Sequence, residues 1–346
     1  MKIAITGGAG FLGLHLTPEL QRQGHTVRLV DIAPLVEEDF DGNVPEYAGC
    51  DVREIDGLRV ALDGVDAVIH GAAALPLFKR QEILTTNIQG TENVLSVCRE
   101  KGISRVVHIS STAVYGVPEK HPIDETDPMV GVGAYGESKI QAEAVCERYR
   151  SSQLCIAIIR PKTFIGPARL GVFEILFDWV DSGVRIPVIG NGNNRYQLLD
   201  VGDLVAAIYL ALTVPAEVAN DTFNIGAERF ETVRKDLTVL CEHAQNGARV
   251  MGTPAAPVKL FLAVAEKLKI SPLYKWVYGT ADKDSFVSID RAKEKLGWQP
   301  QYSNAEALVR AYDWYRDNKD TLPTGSGITH RIGWSQGILK IFKKFL

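Results

Sequence analysis

Several absences bound this chain of 346 residues before any motif is read. Its five cysteines (Cys50, Cys98, Cys146, Cys155 and Cys241) are an odd number with no CxxC spacing, which argues against a disulfide framework and against a zinc site. No metal is expected. Basic residues hold no excess: 38 Lys and Arg stand against 42 Asp and Glu, for a net charge of -4, so nothing calls for a nucleic-acid partner. No apolar run reaches the roughly 18 residues that a membrane span needs. The chain enters "KIAIT" at once, leaving no room for a signal peptide. The expectation is a soluble, cytoplasmic protein with reduced thiols. There is no internal repeat and no low-complexity tract. What remains is 46% hydrophobic, enough for a full core and for more than one domain-sized unit.

Residues 2–6 are a short β-branched run that reads as a buried strand, and "FLGLHLTPELQRQG" follows with apolar residues at helical spacing up to Gly24. Pro18 inside that helix should bend it or remove one hydrogen bond. "TVRLVD" is a second strand, closed by Asp31. Strand-like runs recur at 66–73, 105–110 and 154–161, with helical segments at 81–101 and 135–150 between them. Strand alternating with helix predicts an α/β fold: a doubly wound parallel sheet with right-handed crossovers. Beyond Pro161 the rhythm changes, with helical stretches at 171–183, 203–213, 230–246, 257–268 and 303–318 among short loops. The expected division is a nucleotide-binding domain over 1–165 with a return segment at about 196–226. A smaller, interleaved lobe over 166–195 and 227–324 and a basic tail over 325–346 complete it.

"TGGAGFLG" (6–13) puts four glycines between a strand and a helix that opens near Phe11. Backbone N–H groups and the positive helix end there suit a diphosphate. Gly7 permits the tight turn, Gly10 lets the anion approach, and Gly13 lets helix and strand pack closely; Phe11 and Leu12 begin the helix. Asp31 lies eighteen residues beyond Gly13, at the end of the second strand, where a carboxylate accepts bonds from both adenosine ribose hydroxyls. A 2′-phosphate would be repelled there, and Ile32, Ala33 and Pro34 provide no arginine to hold one. The cofactor expected is NAD rather than NADP.

"AYGESK" (134–139) sets Tyr135 and Lys139 four apart on one helical face. A tyrosine of pKa ~10 is a poor base at neutral pH, but an ammonium beside it makes the phenolate accessible. Upstream, "HISSTAVYG" (108–116) ends a strand with hydroxyls at the carboxyl edge of the sheet, where open α/β sheets bind ligands.

These residues resemble the extended short-chain dehydrogenase/reductases, the NAD-dependent epimerase/dehydratase family. Further matches follow in the same order: "CDV" (50–52), "HGAA" (70–73), "TNIQGTENVL" (86–95), "RPKTFIGP" (160–167), "DVGDLVAA" (200–207) and "KLGWQP" (295–300). The resemblance covers about nine-tenths of the chain. It implies a Rossmann-type NAD-binding domain and a C-terminal substrate-binding lobe. It also implies that Asp51 and Val52 flank the adenine, that Ala72, Ala73 and Pro161 border the cofactor, and that Asn87 supports the site. Ser111, four residues before Tyr115, aligns with the catalytic Ser/Thr, with Thr112 as its neighbour. Tyr135 is then the general base and acid, and Lys139 lowers its pKa and holds the nicotinamide ribose. His70 and His108 read as ordinary strand or loop histidines.

Members that dehydrate a sugar resemble each other in an Asp-Glu pair after the catalytic hydroxyl; Thr112 and Ala113 stand here, and no glutamate suits a decarboxylating relative. Two reactions remain. One is epimerisation of a nucleotide-linked sugar through a transient ketone. The other is net dehydrogenation or ketoreduction of a lipid or steroid-like alcohol. Thr163 and Ile165 replace the Asn and Tyr of the "RP-x-N-x-Y-G-P" run that binds a substrate diphosphate, so Arg169, Arg185 or Arg195 would supply a phosphate contact, with Arg195 preferred alongside Thr112 and Thr163. The apolar stretch at 256–279 reads as a core helix or a greasy wall for lipid. The final residues, "GSGITHRIGWSQGILKIFKKFL", carry four basic residues and no acid, with Ile338, Ile341, Phe342 and Phe345 at helical spacing. That pattern suits a helix on an anionic membrane or one docked on the protein itself. The resemblance also implies a homodimer through the helices at 81–101 and 135–150.

Overall fold

The computed structural model describes residues 1–268, 271, 273, 275–322 (275 and 276 by backbone alone), 331, 336, 337, 339 and 343. The chain divides into two units. Met1–Lys162, Val201–Gly226 and Val287–Gln299 form the first; Thr163–Asp200, Ala227–Phe286 and Pro300–Leu346 form the second.

The first unit opens with β1 (Lys2–Thr6), α1 (Phe11–Arg22), β2 (Thr26–Asp31), β3 (Glu46–Gly49), α2 (Ile55–Ala61) and β4 (Ala67–His70). It continues with α3 (Arg80–Leu84), α4 (Gly90–Glu100), β5 (Arg105–Ile109), α5 (Gly133–Tyr149) and β6 (Cys155–Pro161). The second unit then takes β7 (Phe164–Ile165), α6 (Val172–Asp181), β8 (Arg185–Ile189) and β9 (Leu199–Asp200). The chain returns to the first through α7 (Val201–Thr213), α8 (Ala216–Ala219) and β10 (Thr222–Ile225). It leaves again for α9 (Val233–Ala244), β11 (Arg249–Thr253), α10 (Ala255–Lys267) and α11 (Lys275–Thr280). It comes back once more for α12 (Asp290–Leu296) and ends in α13 (Asn304–Asn318).

Seven parallel strands make one sheet in the first unit, in the order β10-β6-β5-β4-β1-β2-β3. The order reverses between β1 and β4, so their carboxyl ends leave a crevice for a ligand. Val- and Ile-rich strands suit a sheet buried on both faces; every residue of β6 is buried. On one face Leu58, Val94, Leu95, Val145 and Cys146 from α2, α4 and α5 pack on Ala4, Val68, Val106 and Ile156. On the other lie α1 and α7. Pro18 sits inside α1 without ending it. All five cysteines are free and buried. No helix among the described residues is long and apolar enough to cross a membrane, and none of those residues cluster as metal ligands.

The second unit has its own core, in which Phe177, Trp179 and Val180 of α6 meet Leu240 of α9 and Leu308, Tyr312 and Tyr315 of α13. Most of the basic tail, with Ile338, Ile341, Phe342 and Phe345, lies outside the described residues. Three of its described residues dock on the second unit: Gln336 Nε2 donates to Asp178 of α6 at 2.6 Å, Lys343 pairs with the same carboxylate, and Leu339 packs against the core.

Candidate active site

At the end of β1 the backbone turns in a way only glycine accepts easily. Gly7 has φ +71°, and a Cβ there would stand 2.8 Å from Ala72 Cα. A Cβ on Gly13, in the first turn of α1, would overlap the carbonyl of Gly8. Helix and loop are therefore in backbone contact. Gly10 is the N-cap of α1 with no side chain to cap it, and no acid occupies the first turn. The positive end of the helix faces the sheet edge without a counter-charge of its own, a cradle that fits a diphosphate. Phe11 is buried edge-on against His15, and Leu12 beside it is half-buried.

Asp31 closes β2 with both carboxylate oxygens engaged. Oδ2 accepts the Ala9 N–H at 3.0 Å and Oδ1 the Ala33 N–H at 2.9 Å. Each oxygen keeps a further lone pair for a ribose hydroxyl. Asp51 carries a partner that sequence reasoning did not mark: Arg53 Nε donates to Oδ1 at 2.9 Å and to Oδ2 at 3.0 Å. That guanidinium holds the Asp51 carboxyl below the usual carboxylate range, more strongly than burial raises it. Val52 is fixed through its carbonyl, which accepts from Asn93 Nδ2 at 3.1 Å. Ala72, followed by Ala73, lies across the glycine turn and donates its N–H to Thr6 Oγ1 at 3.3 Å.

Ser111 follows β5 and caps the 3-10 turn Thr112–Tyr115, its Oγ accepting the Ala113 N–H at 3.1 Å. The hydroxyl proton of Ser111 thus keeps its donor capacity for another acceptor. Thr112 Oγ1 donates to the Pro161 carbonyl at 3.3 Å, joining the ends of β5 and β6. Tyr135 and Lys139 lie one turn apart near the start of α5, with Lys139 Nζ 5.9 Å from the Tyr135 ring centroid. Lys139 is buried and donates to the Ile109 carbonyl at 2.9 Å. Burial pulls its ammonium down to about 8, while Glu143 and Cys146 oppose the shift. The segment before α5 is pressed against this turn: Gly131 N donates to Val114 O at 2.9 Å, and a Cβ on Gly136 would lie 3.0 Å from Ala113 O.

A buried hydrogen-bonded chain ties Tyr135 to β1. Thr6 Oγ1 meets His70 Nδ1 at 2.7 Å, and His70 Nε2 meets Thr91 Oγ1 at 3.0 Å. Thr91 donates to the Asn87 carbonyl at 2.7 Å, Asn87 Nδ2 to Ser138 Oγ at 2.9 Å, and Ser138 to the Tyr135 carbonyl at 2.8 Å. Asn87 sits in a single π-turn (Thr85–Gln89) between α3 and α4, which directs its amide to the backbone of Ala74 as well. Burial holds His70 neutral, with its pKa lowered to about 3. His108 is buried beside it, 5.3 Å between ring centroids, and neither ring nitrogen has a hydrogen-bond partner among the described residues. Behind α5, Arg160 forms a buried ion pair with Glu143 at 2.6 Å and donates to Tyr115 OH at 2.6 Å. Tyr115 donates onward to Asn224. Lys162, next after Pro161, is another buried cation, its ammonium brought down to about 7 by burial.

The first unit thus gathers Ser111, Thr112, Tyr135, Lys139, Asn87 and Pro161 at one edge of its sheet. Thr163 and Arg195 belong to the second. There Thr163 Oγ1 lies 3.2 Å from Tyr196 OH. The exposed guanidinium of Arg195 stacks on Phe230 at 4.6 Å and Phe286 at 4.7 Å and has no ion-pair partner among the described residues. Arg169 is buried, 5.5 Å from the Phe164 ring centroid. Arg185 is exposed at the start of β8.

The model of the NAD dependent epimerase/dehydratase family matches residues 3–226. Uncharacterized protein y4nG of Sinorhizobium fredii is 36% identical over 343 residues, covering 97% of this chain and 84% of the relative. Sterol-4-alpha-carboxylate 3-dehydrogenase, decarboxylating, of Mus musculus is 31% identical over 327 residues, covering 89% of each. In fold, the chain is similar to the crystal structure of UDP-glucose 4-epimerase with UDP-glucose from Thermotoga maritima. That likeness has a TM-score of 0.77 at 24% identity and covers 92% of this chain and 100% of the other.

Proposed function

The chain belongs to the NAD-dependent epimerase/dehydratase family, and on that premise we propose that it inverts a hydroxyl-bearing carbon of a nucleotide-linked sugar through a transient ketone. The observation that carries this reading is that Tyr135, one helical turn from the buried Lys139, is matched after Ser111 by Thr112 and Ala113 and not by an Asp-Glu pair. Thr112 spends its hydroxyl on the Pro161 carbonyl, and Ala113 brings no acid or base. Epimerisation requires one proton-transfer group and no second one. Gly7, Gly10, Phe11, Leu12 and Gly13 hold the cofactor diphosphate, Asp31 its adenosine ribose, and Asp51 and Val52 its adenine. Ala72 and Ala73 flank the cofactor's central ribose region, Pro161 borders the cofactor, and Asn87 supports the site. Bound NAD supplies a two-electron acceptor that takes and returns hydride.

Tyr135 takes the proton of the substrate hydroxyl and later gives it back. The Lys139 ammonium, anchored on Ile109 O, favours the phenolate by charge and holds the nicotinamide ribose. Ser111 donates its free proton to the substrate oxygen. Thr112 and Thr163 line the substrate site, and Arg195, held flat by its two rings, meets the phosphate. The Thermotoga maritima enzyme, crystallised with UDP-glucose, supports a nucleotide sugar as substrate. A homodimer through α4 and α5 belongs to the same reading, and equilibrium sedimentation tests it.

A second reading, NAD-dependent dehydrogenation of a lipid or steroid-like alcohol, is favoured by the mouse relative and by the exposed Val117, Val130 and Val132 in the segment leading to α5. Incubation with NAD and UDP-hexoses separates the two. An epimerase converts the sugar, read by proton NMR, without accumulating reduced cofactor. Reduced nicotinamide formed in step with product, on sterol and not on sugar, would replace the first reading by the second.

A further inference from the structure

Helix α10 is apolar on two sides. Leu262 and Ala265 are buried in the second unit, as a packed helix requires. On the face turned about a third of a turn away, Leu260 (68% exposed), Val264 (50%) and Leu268 (64%), with Phe261 (38%) at its edge, form a stripe at i, i+4 and i+8. A helix apolar all round is one that is covered in use. The surroundings indicate by what. Between 255 and 283 the chain has five lysines and two acids, although its net charge is -4. Both acids are engaged: Asp282 takes the Lys259 ammonium, and Glu266 accepts from Tyr278 OH at 2.6 Å. Lys267 and Lys283 are exposed, with no ion-pair partner among the described residues.

We propose that the Leu260–Leu268 stripe of α10, rimmed by lysines, docks the protein on an anionic lipid bilayer surface. A second copy of the chain fits less well. The stripe is about 13 Å long and about 10 Å wide, roughly a sixth of the ~800 Å² per partner in a stable interface. A two-fold pairing would also set the same lysines against each other. A bilayer asks for neither area nor shape, only an apolar face that enters the headgroup boundary beneath basic side chains. Gln336 and Lys343 of the tail, by contrast, are engaged with Asp178 of α6.

The test is cosedimentation of the full chain with vesicles of phosphatidylcholine and phosphatidylglycerol in equal amounts, and with phosphatidylcholine alone. We expect binding at least about tenfold stronger to the anionic vesicles, weakening with salt. Leu260→Gln, Val264→Gln and Leu268→Gln together should lower it about tenfold or more without moving the thermal melt. Lys267→Glu with Lys283→Glu, on a surface that folding does not need, should lower binding to the anionic vesicles only. Failure of the wild type to bind, or undiminished binding by both variants, overturns the proposal. So does a triple variant whose sedimentation coefficient falls, because a second copy then covers the stripe.

Discussion

At the scale of single residues, the proposed chemistry rests on one proton carrier held against one cation. Tyr135→Phe keeps the ring over Lys139 and removes only the ionisable hydroxyl. Turnover should fall by about 10³-fold or more while NAD affinity, followed by fluorescence titration, stays within about threefold; an equal loss of both would mean that Tyr135 serves binding instead. Asp31 is a second such point, since its carboxylate joins the glycine loop to the end of β2. Asp31→Ser should raise the NAD dissociation constant about tenfold, about 1.4 kcal/mol, and shrink the preference over NADP. Titrating both dinucleotides checks this. Spacing and residue type exposed these positions in the sequence. Arg53 was not legible, because an exposed arginine two residues past an aspartate looks like any solvated charge. Nor was the Ser111 cap, since a cap depends on where the backbone turns.

At the scale of elements, period and composition carried strands that are β-branched and helices that are amphipathic, such as β1, β2, β6 and α1. They failed for β3, a four-residue edge strand (Glu46–Gly49), and for β8 and β11, whose pairing is made only in the folded chain. The π-turn at Thr85–Gln89 lies hidden inside what reads as one helix over 81–101. Adjacent β4 and β5 pair His70 with His108, and this pairing has a measurable consequence. Burial lowers both pKa values, His70 to about 3 and His108 well below 6.5. As pH falls from 6.5 toward 3, the unfolded chain binds protons that the folded one refuses, so stability is lost in that window and present above it. Each histidine contributes about 1.4 kcal/mol per pH unit. His108→Phe should halve the histidine part of the slope. It should also stabilise the protein at pH 7 by about 1–2 kcal/mol, because it removes two buried ring nitrogens that have no hydrogen-bond partner among the described residues. Urea unfolding at several pH values reads both effects, and an unchanged slope would place the acid sensitivity elsewhere.

At the scale of the whole molecule, the first unit is assembled from three separate stretches of chain, and the last of them closes it. Within 287–299, Ser288 N donates to Ile123 O at 2.9 Å, and Arg291 and Lys295 pair with Asp221 at 3.2 and 2.6 Å. Trp298 is 1% exposed, and its indole N–H donates to Asp203 O at 3.0 Å. Local pattern could not reveal this return, because five of the eleven residues of "DRAKEKLGWQP" are charged and its few apolar members, Ala292, Leu296 and Trp298, make too short a run to read. Trp298 is the largest of the buried apolar side chains, with Val287, Ile289, Ala292 and Leu296, by which the third stretch holds to the first unit. Trp298→Ala should cost about 3–5 kcal/mol, comparable to a large part of the ~5–15 kcal/mol that a domain has in total. Residues 1–226 include the whole seven-stranded sheet, so a reading of the unit as sheet plus flanking helices would expect that fragment to fold. Closure by 287–299 predicts instead that it melts well below the full chain and regains stability when a peptide spanning 287–299 is added in trans. A fragment as stable as the full chain, or one indifferent to the peptide, would show that the sheet holds itself and that Trp298 is only packed onto it.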